Sequence, residues 1–184
     1  MNEIASAAQL RASLLRWALF LVPGIILLGY LSAKIAVASP ENPWFATLVK
    51  PALYPPSLVF TIVWTILYAM IGLAFAMVTS ARGAPGRGFA VAAFIVQLAL
   101  NLAWAPLFFG AHQITAALIL LVFLDVAVVI TIVLFRRVRL VASLLLLPYL
   151  AWLLFATALN WEFLDANPGA DGQEVTSATT RVEF

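Results

Sequence analysis

The sequence predicts an all-α membrane protein, a bundle of five transmembrane helices. Three observations predict it. Hydrophobic residues make up 65% of the 184 residues and charged residues only 10%, with a mean hydropathy of +1.07. Soluble domains are nearer half apolar and a quarter charged. Five stretches are each long enough, at about 20 apolar residues, to cross a bilayer core. The separators between them are short and polar or rich in glycine and proline, which forces successive helices to run antiparallel.

The spans fall at about 14–37, 57–79, 89–109, 113–135 and 140–163. Residues 1–13 form an N-terminal segment, 14–163 the membrane domain, and 164–184 a polar tail expected to be disordered. The first apolar stretch is long enough to span and lacks a small-residue cleavage site, so it reads as a retained helix rather than a signal peptide. The first loop carries Pro43, Pro51, Pro55 and Pro56. These prolines remove backbone donors and prevent a continuous helix, although a short one fits between them. Pro56 is well placed to begin the second span. Between the second and third spans lie Arg82, Arg87 and the breakers Gly83, Pro85, Gly86 and Gly88. Gly110-Ala111-His112 is a tight turn, and Arg136-Arg137-Val138-Arg139 is a basic one.

Arginines at positions 11, 16, 82, 87, 136, 137 and 139 share one side of a five-span topology, whereas Lys34, Lys50 and Arg181 fall on the other. The positive-inside rule then places the N-terminus in the cytoplasm, with the first loop and the C-terminus outside. A bacterial inner membrane is the expected location. The chain has no cysteine, so disulfides and thiolate chemistry are excluded. No Gly-rich phosphate motif and no nucleic-acid footprint occur. A Ser-His-acid set would have to recruit His112 and Asp125 from different depths, so no catalytic constellation is read.

Helical periodicity sorts the side chains into faces. In the second span, Phe60, Trp64, Tyr68 and Phe75 form an aromatic stripe, with Thr61, Thr65, Gly72 and Ala76 beside it. In the third, Gly88, Ala92, Ala99 and Ala103 fall within roughly a 60° sector. Small residues at this spacing let helices approach closely, either as a homodimer seam or as packing within the chain. Gln97, Asn101 and Trp104 occupy the opposite face. In the fifth, Tyr149, Trp152, Ala156 and Asn160 share a face, and Pro148 is placed to bend the helix.

Three spans therefore each carry a tryptophan with a polar companion. The expected pairs are Trp64 with Thr65 or Tyr68, Trp104 with Asn101, and Trp152 with Asn160. A deep indole needs a partner for its N–H. Each tryptophan alone reads equally as core packing or interfacial anchoring; together, beneath a loop bearing Trp44 and Lys50, they point to a cavity. Aromatic walls with few charges suit a flat, mainly apolar ligand such as a porphyrin, and a sterol less well. His112 lies in a turn and reads as a solvated residue rather than an axial haem ligand, so stacking is favoured over coordination. No metal site and no obligatory cofactor are expected. Asp125, inside the fourth span, is either a functional carboxylate or one held protonated or hydrogen-bonded between helices.

Three ordered motifs resemble the translocator protein family, whose bacterial members are the tryptophan-rich sensory proteins (TspO). The first is Trp44-Phe45, Leu48, Lys50-Pro51, Pro55-Pro56, Phe60, Val63-Trp64-Thr65 and Leu67-Tyr68. The second runs from Gln97 through Asn101 and Trp104 to Phe108-Phe109, and the third is Pro148-Tyr149-Leu150-Ala151-Trp152 with Phe155-Ala156 and Ala158-Leu159-Asn160. The resemblance implies a five-helix bundle, often dimeric, that binds porphyrins (protoporphyrin IX or haem) and in some members sterols. Sensing, regulation, carriage and light-dependent porphyrin breakdown are the activities it suggests. It implies ligand contacts at Trp64, Tyr68, Asn101, Trp104, Trp152 and Ala156, with Trp44, Lys50 and Pro55 in a lid. Trp64 and Trp152 are the pair it would assign to photochemistry. Two departures stand out. The second span has Phe60-Thr61-Ile62-Val63-Trp64 where members often have Phe-Gly-Pro-Val-Trp. No Lys or Arg follows Tyr149 within five residues, so the weak cholesterol pattern is absent.

Overall fold

The structure is a computed structural model and describes residues 7–173; residues 1–6 and 174–184, with Arg181 of the charge count, lie outside them. Five helices are long and apolar enough to cross a membrane. The first, α1, spans Ala7–Ile35, 29 residues. At about 1.5 Å per residue it is roughly 43 Å long, longer than a bilayer core of about 30 Å. Its polar first turns, with Gln9 and Arg11, extend the helix several residues before the expected start.

The lid carries a short helix, α2, Pro43–Thr47, between two prolines, as expected. Asn42 caps it: its side-chain carbonyl accepts from the Phe45 N–H at 3.0 Å. At its other end the Lys50 ammonium donates to the carbonyls of Phe45, Ala46 and Leu48 and lies 4.5 Å from the Phe45 ring centre. Lys50 thus neutralises the carbonyl end of α2.

The second span, α3, covers Ser57–Ser80 and starts directly after Pro56. The third, α4, Arg87–Ala105, continues into one wide turn, Pro106–Gly110. The fourth, α5, is Ile114–Val138. The fifth is broken into α6, Leu140–Leu145, and α7, Leu147–Ala166, at the turn just before Pro148. A proline in a helix interior removes a donor and clashes with the preceding turn, so the chain breaks there.

Going round the bundle, α1 packs on α3, α3 on α6 and thinly on α7, α7 on α5, α5 on α4, and α4 back on α1. Gly72 sets the α1–α3 distance: a Cβ there would lie 2.8 Å from the Val22 Cα. Thr61 and Thr65, expected on the same strip, remain exposed while Gly72 and Ala76 are buried. The α3–α4 loop, the α5–α6 break and the start of α1 lie at one end, which is therefore rich in arginine. The lid, the Gly110–His112 turn and the tail lie at the other.

One proline has a compensation built on another helix. Pro106 has no N–H, so the Leu102 carbonyl four residues earlier lacks its usual i+4 donor. The Ser32 hydroxyl of α1 donates to that carbonyl at 2.6 Å. The wide turn that follows closes with Ala111 N–H donating to Pro106 O at 2.8 Å.

Residues 164–173 depart from the expected disorder. The helix runs on to Ala166, and residues 167–173 strap across the lid end. The buried Asn167 side chain accepts from Val49 N–H at 2.8 Å and donates to Val49 O at 3.0 Å, as a neighbouring strand would. Asp171 accepts from the N–H groups of Ile114 and Thr115 at 2.6 and 3.2 Å, capping α5. Composition missed this because polar residues serve as caps as readily as they remain solvated.

Candidate ligand site beneath the lid

The aromatic side chains meet in two connected groups. Under the lid, Phe45, Tyr54, Phe108, Phe109 and Phe163 pack edge to face or tilted at centroid distances of 4.9–6.3 Å. Trp44 is 2% exposed. It sits edge-on to Phe108 at 5.5 Å and stacks on His112 at 4.7 Å, and its indole N–H donates to Ala170 O at 3.3 Å. Trp44 therefore plugs the lid to the bundle. His112 is held in this stack with φ of 57°, and its Nδ1 lies 3.0 Å from Gln173 O.

Deeper, α3 and α7 face one another across a thinly packed seam. Phe60 bridges lid and seam, 5.5 Å from Tyr54 and 5.7 Å from Trp152. Trp64 stacks on Tyr68 at 5.1 Å and meets Tyr149 edge-on at 6.3 Å. Trp64, Trp152 and Ala156 are half-buried. Pro55 is half-buried where the lid turns into α3.

Below these rings runs a chain of polar side chains. Tyr68 Oη donates to Asn101 Oδ1 at 2.8 Å, Asn101 Nδ2 donates to Tyr149 Oη at 2.9 Å, and Tyr149 Oη donates to Gln97 Oε1 at 3.0 Å. Gln97, Asn101 and Tyr149 are buried. The chain stitches α3, α4 and α7 together in an apolar surround, where each such bond is costly to break. Gly29 of α1 makes room for it: a Cβ there would fall 2.1 Å from the Tyr68 ring.

Two expected pairings are corrected. Trp104 donates its indole N–H to Asn160 Oδ1 at 3.2 Å, not to Asn101. Both polar atoms of Asn160 are bonded elsewhere, because its Nδ2 also donates to Ile114 O at 3.1 Å. Trp152 is left with a buried indole N–H that has no acceptor, and Gln97 Nε2 is likewise without one. Helix periodicity puts residues on a face but does not set the rotation of one helix against the next, and that rotation chose the partners.

The rings of the seam lie at centroid distances of 5.1–6.3 Å from one another. Two open cavities, of about 630 and 350 Å³, lie at the arginine-rich end. The structure thus brings the predicted residues Phe60, Trp64, Tyr68, Asn101, Tyr149 and Trp152 together at one seam. Trp44 and Trp104 join them through Phe108. Asp125 is half-buried, and its Oδ2 accepts from Thr157 at 2.9 Å while Oδ1 has no partner. Gly88, Ala92, Ala99 and Ala103 all face outward, on the side of α4 opposite Gln97 and Asn101. No group of three His, Asp or Glu able to hold a metal occurs among the described residues. Gly29, Ser32, Asn167 and Asp171 were not singled out from sequence, because each acts through a neighbour distant in the chain.

Comparison with known proteins agrees with this architecture. A model of the TspO/MBR family matches residues 18–165. The tryptophan-rich protein TspO of Chlorobaculum tepidum is 42% identical over 130 residues, covering 70% of this chain and 82% of the relative. The translocator protein of Sus scrofa is 38% identical over 150 residues, 78% of this chain and 86% of the relative. The tryptophan-rich sensory protein of Cereibacter sphaeroides is 35% identical over 151 residues, 82% of this chain and 92% of the relative. With the family match extending from the first span to the end of the last, this five-helix membrane protein belongs to the TspO/MBR family.

Proposed function

We propose that the protein binds porphyrin-type tetrapyrroles, protoporphyrin IX or haem, between α3, α4 and α7, and acts as a sensor or carrier for them. The observation that carries this reading is the α3–α7 seam. Phe60 and Trp64 face Tyr149 and Trp152 where the two helices pack thinly, and the buried Trp152 and Gln97 N–H groups have no acceptor. Leaving such a donor unpaired costs about 1–3 kcal/mol. A ligand that parts the rings recovers that cost by supplying acceptors, and offers a flat face to stack on. Binding requires α3 and α7 to separate, with the lid controlling access from above. The names of two relatives, a sensory protein and a translocator protein, describe those proteins and accord with a ligand-responsive role here.

Titration with protoporphyrin IX, read by quenching of tryptophan fluorescence, tests the reading. Saturable quenching is expected, with Kd raised about two- to twelvefold in Trp152→Ala, from the loss of about 0.5–1.5 kcal/mol of stacking. Unchanged saturation in both Trp64→Ala and Trp152→Ala overturns it. The outward small-residue face of α4 supports a second copy of the chain as partner. Oxidative crosslinking of Ala99→Cys, on a chain with no other cysteine, should then trap a dimer in membranes. Only monomer after oxidation removes that seam.

A further inference from the structure

The arginine-rich end holds a groove that the tetrapyrrole reading does not use. A cavity of about 630 Å³ is lined by Gln9, Leu10, Ser13 and Arg16 of α1, Ser80–Ala84 of the α3–α4 connection, and Val138 and Arg139 at the α5–α6 break. A second, of about 350 Å³, shares Ser13, Arg16 and Arg82 with it and continues onto Trp17 and Phe20. The two form one track with a cationic head and an aromatic foot. Phe20 is 77% exposed on the outer face of α1.

Three guanidinium groups from three segments, Arg16, Arg82 and Arg139, converge on the head. Local backbone brings them there. Gly83, with φ of 79°, and Gly86, with φ of 77°, fold the α3–α4 connection tightly back. The extended Arg139, with φ of −152°, interrupts the helix between α5 and α6. Among the described residues no Asp or Glu lines either cavity. All three arginines are exposed, and none has a described ion pair.

We infer that this groove is a binding site for the phosphate headgroup of an anionic phospholipid, with an acyl chain laid along Trp17 and Phe20. Guanidinium forks match phosphate oxygens, and Ser13 adds a hydroxyl donor. Basic clefts between spans at the membrane edge are suited to anionic headgroups. A free phosphate ion would use the same arginines but not the aromatic foot. A diffuse positive potential would use Arg136 and Arg137 equally, and these are exposed just outside the groove.

Native mass spectrometry of the full chain in mixed micelles of phosphatidylglycerol and phosphatidylcholine tests the inference. Wild type should retain phosphatidylglycerol at least about tenfold over phosphatidylcholine. Arg16→Gln/Arg82→Gln should bring that ratio to within about twofold, while Arg136→Gln/Arg137→Gln, the same charge loss on the same side, should preserve it. Equal retention of both lipids by wild type overturns the inference. So does an equal loss in the two double variants, which assigns the preference to diffuse charge. Displacement of phosphatidylglycerol by millimolar inorganic phosphate also overturns it, because the chain then contributes nothing. A Trp17→Ala/Phe20→Ala variant that weakens phosphatidylglycerol retention supports it. Elution at the wild-type volume and unchanged helical circular dichroism confirm that each variant has folded.

Discussion

Asn167→Ala should loosen the lid without unfolding the bundle. In the structure the Asn167 side chain makes two bonds to Val49, at 2.8 and 3.0 Å, and one to Phe163 O at 2.9 Å. Of these three, only the two to Val49 join the tail to the lid, alongside the Trp44 N–H bond to Ala170 O, which the substitution leaves in place. A buried hydrogen bond is worth about 0.5–1.5 kcal/mol net. Val49 is 61% exposed, so water replaces part of each bond and the low end applies. The expected loss is about 1–2 kcal/mol, a five- to thirtyfold rise in the population with the lid detached. Hydrogen exchange read by mass spectrometry checks it. Amides of the lid peptide containing Ala46, Leu48 and Val49 should exchange faster by that factor, and the interior of α5 should not change. Protoporphyrin association and dissociation should both quicken if the lid controls access. Lid exchange within twofold of wild type refutes the strap. Equal acceleration along α5 refutes it too, because the variant would then have destabilised the whole fold.

Two further perturbations probe the scaffold. Ser32→Ala should cost about 1–3 kcal/mol in reversible unfolding, because the Leu102 carbonyl freed by Pro106 loses its donor. In a Pro106→Ala background the restored N–H should make most of that cost vanish, so an unchanged penalty in the double variant defeats the explanation. Gly29→Ala should displace the Tyr68 ring, since the new Cβ would fall 2.1 Å from it, and break its bond to Asn101. Protoporphyrin Kd should rise about tenfold, the equivalent of one hydrogen bond to a buried network, and unaltered binding would show that Tyr68 lies outside the site.

The number and order of the spans, room for a short lid helix between prolines, and the division of α4 into a polar-aromatic face and a small-residue face were all legible from the sequence; that the small-residue face points outward was not. Each depends on a signal carried within a few turns of one segment: apolar length, proline position, or helical period. The aromatic residues of the site were legible in the same way, because Phe60, Trp64 and Tyr68 recur every fourth residue, and Tyr149 and Trp152 share a face.

Which groups actually touch was decided by tertiary structure alone. Trp104 took Asn160, Asn101 took both tyrosines, and Trp152 was left without an acceptor, because partners depend on how each helix is rotated and shifted against its neighbours. Ser32 meets Leu102 across 70 positions of sequence, and Asn167 meets Val49 across 118. Local periodicity carries no information at that separation. The amino-acid pattern commits each segment to the membrane and to a face. Packing at close range, through Gly29 against Tyr68 and Gly72 against Val22, then selects the one register in which those faces meet.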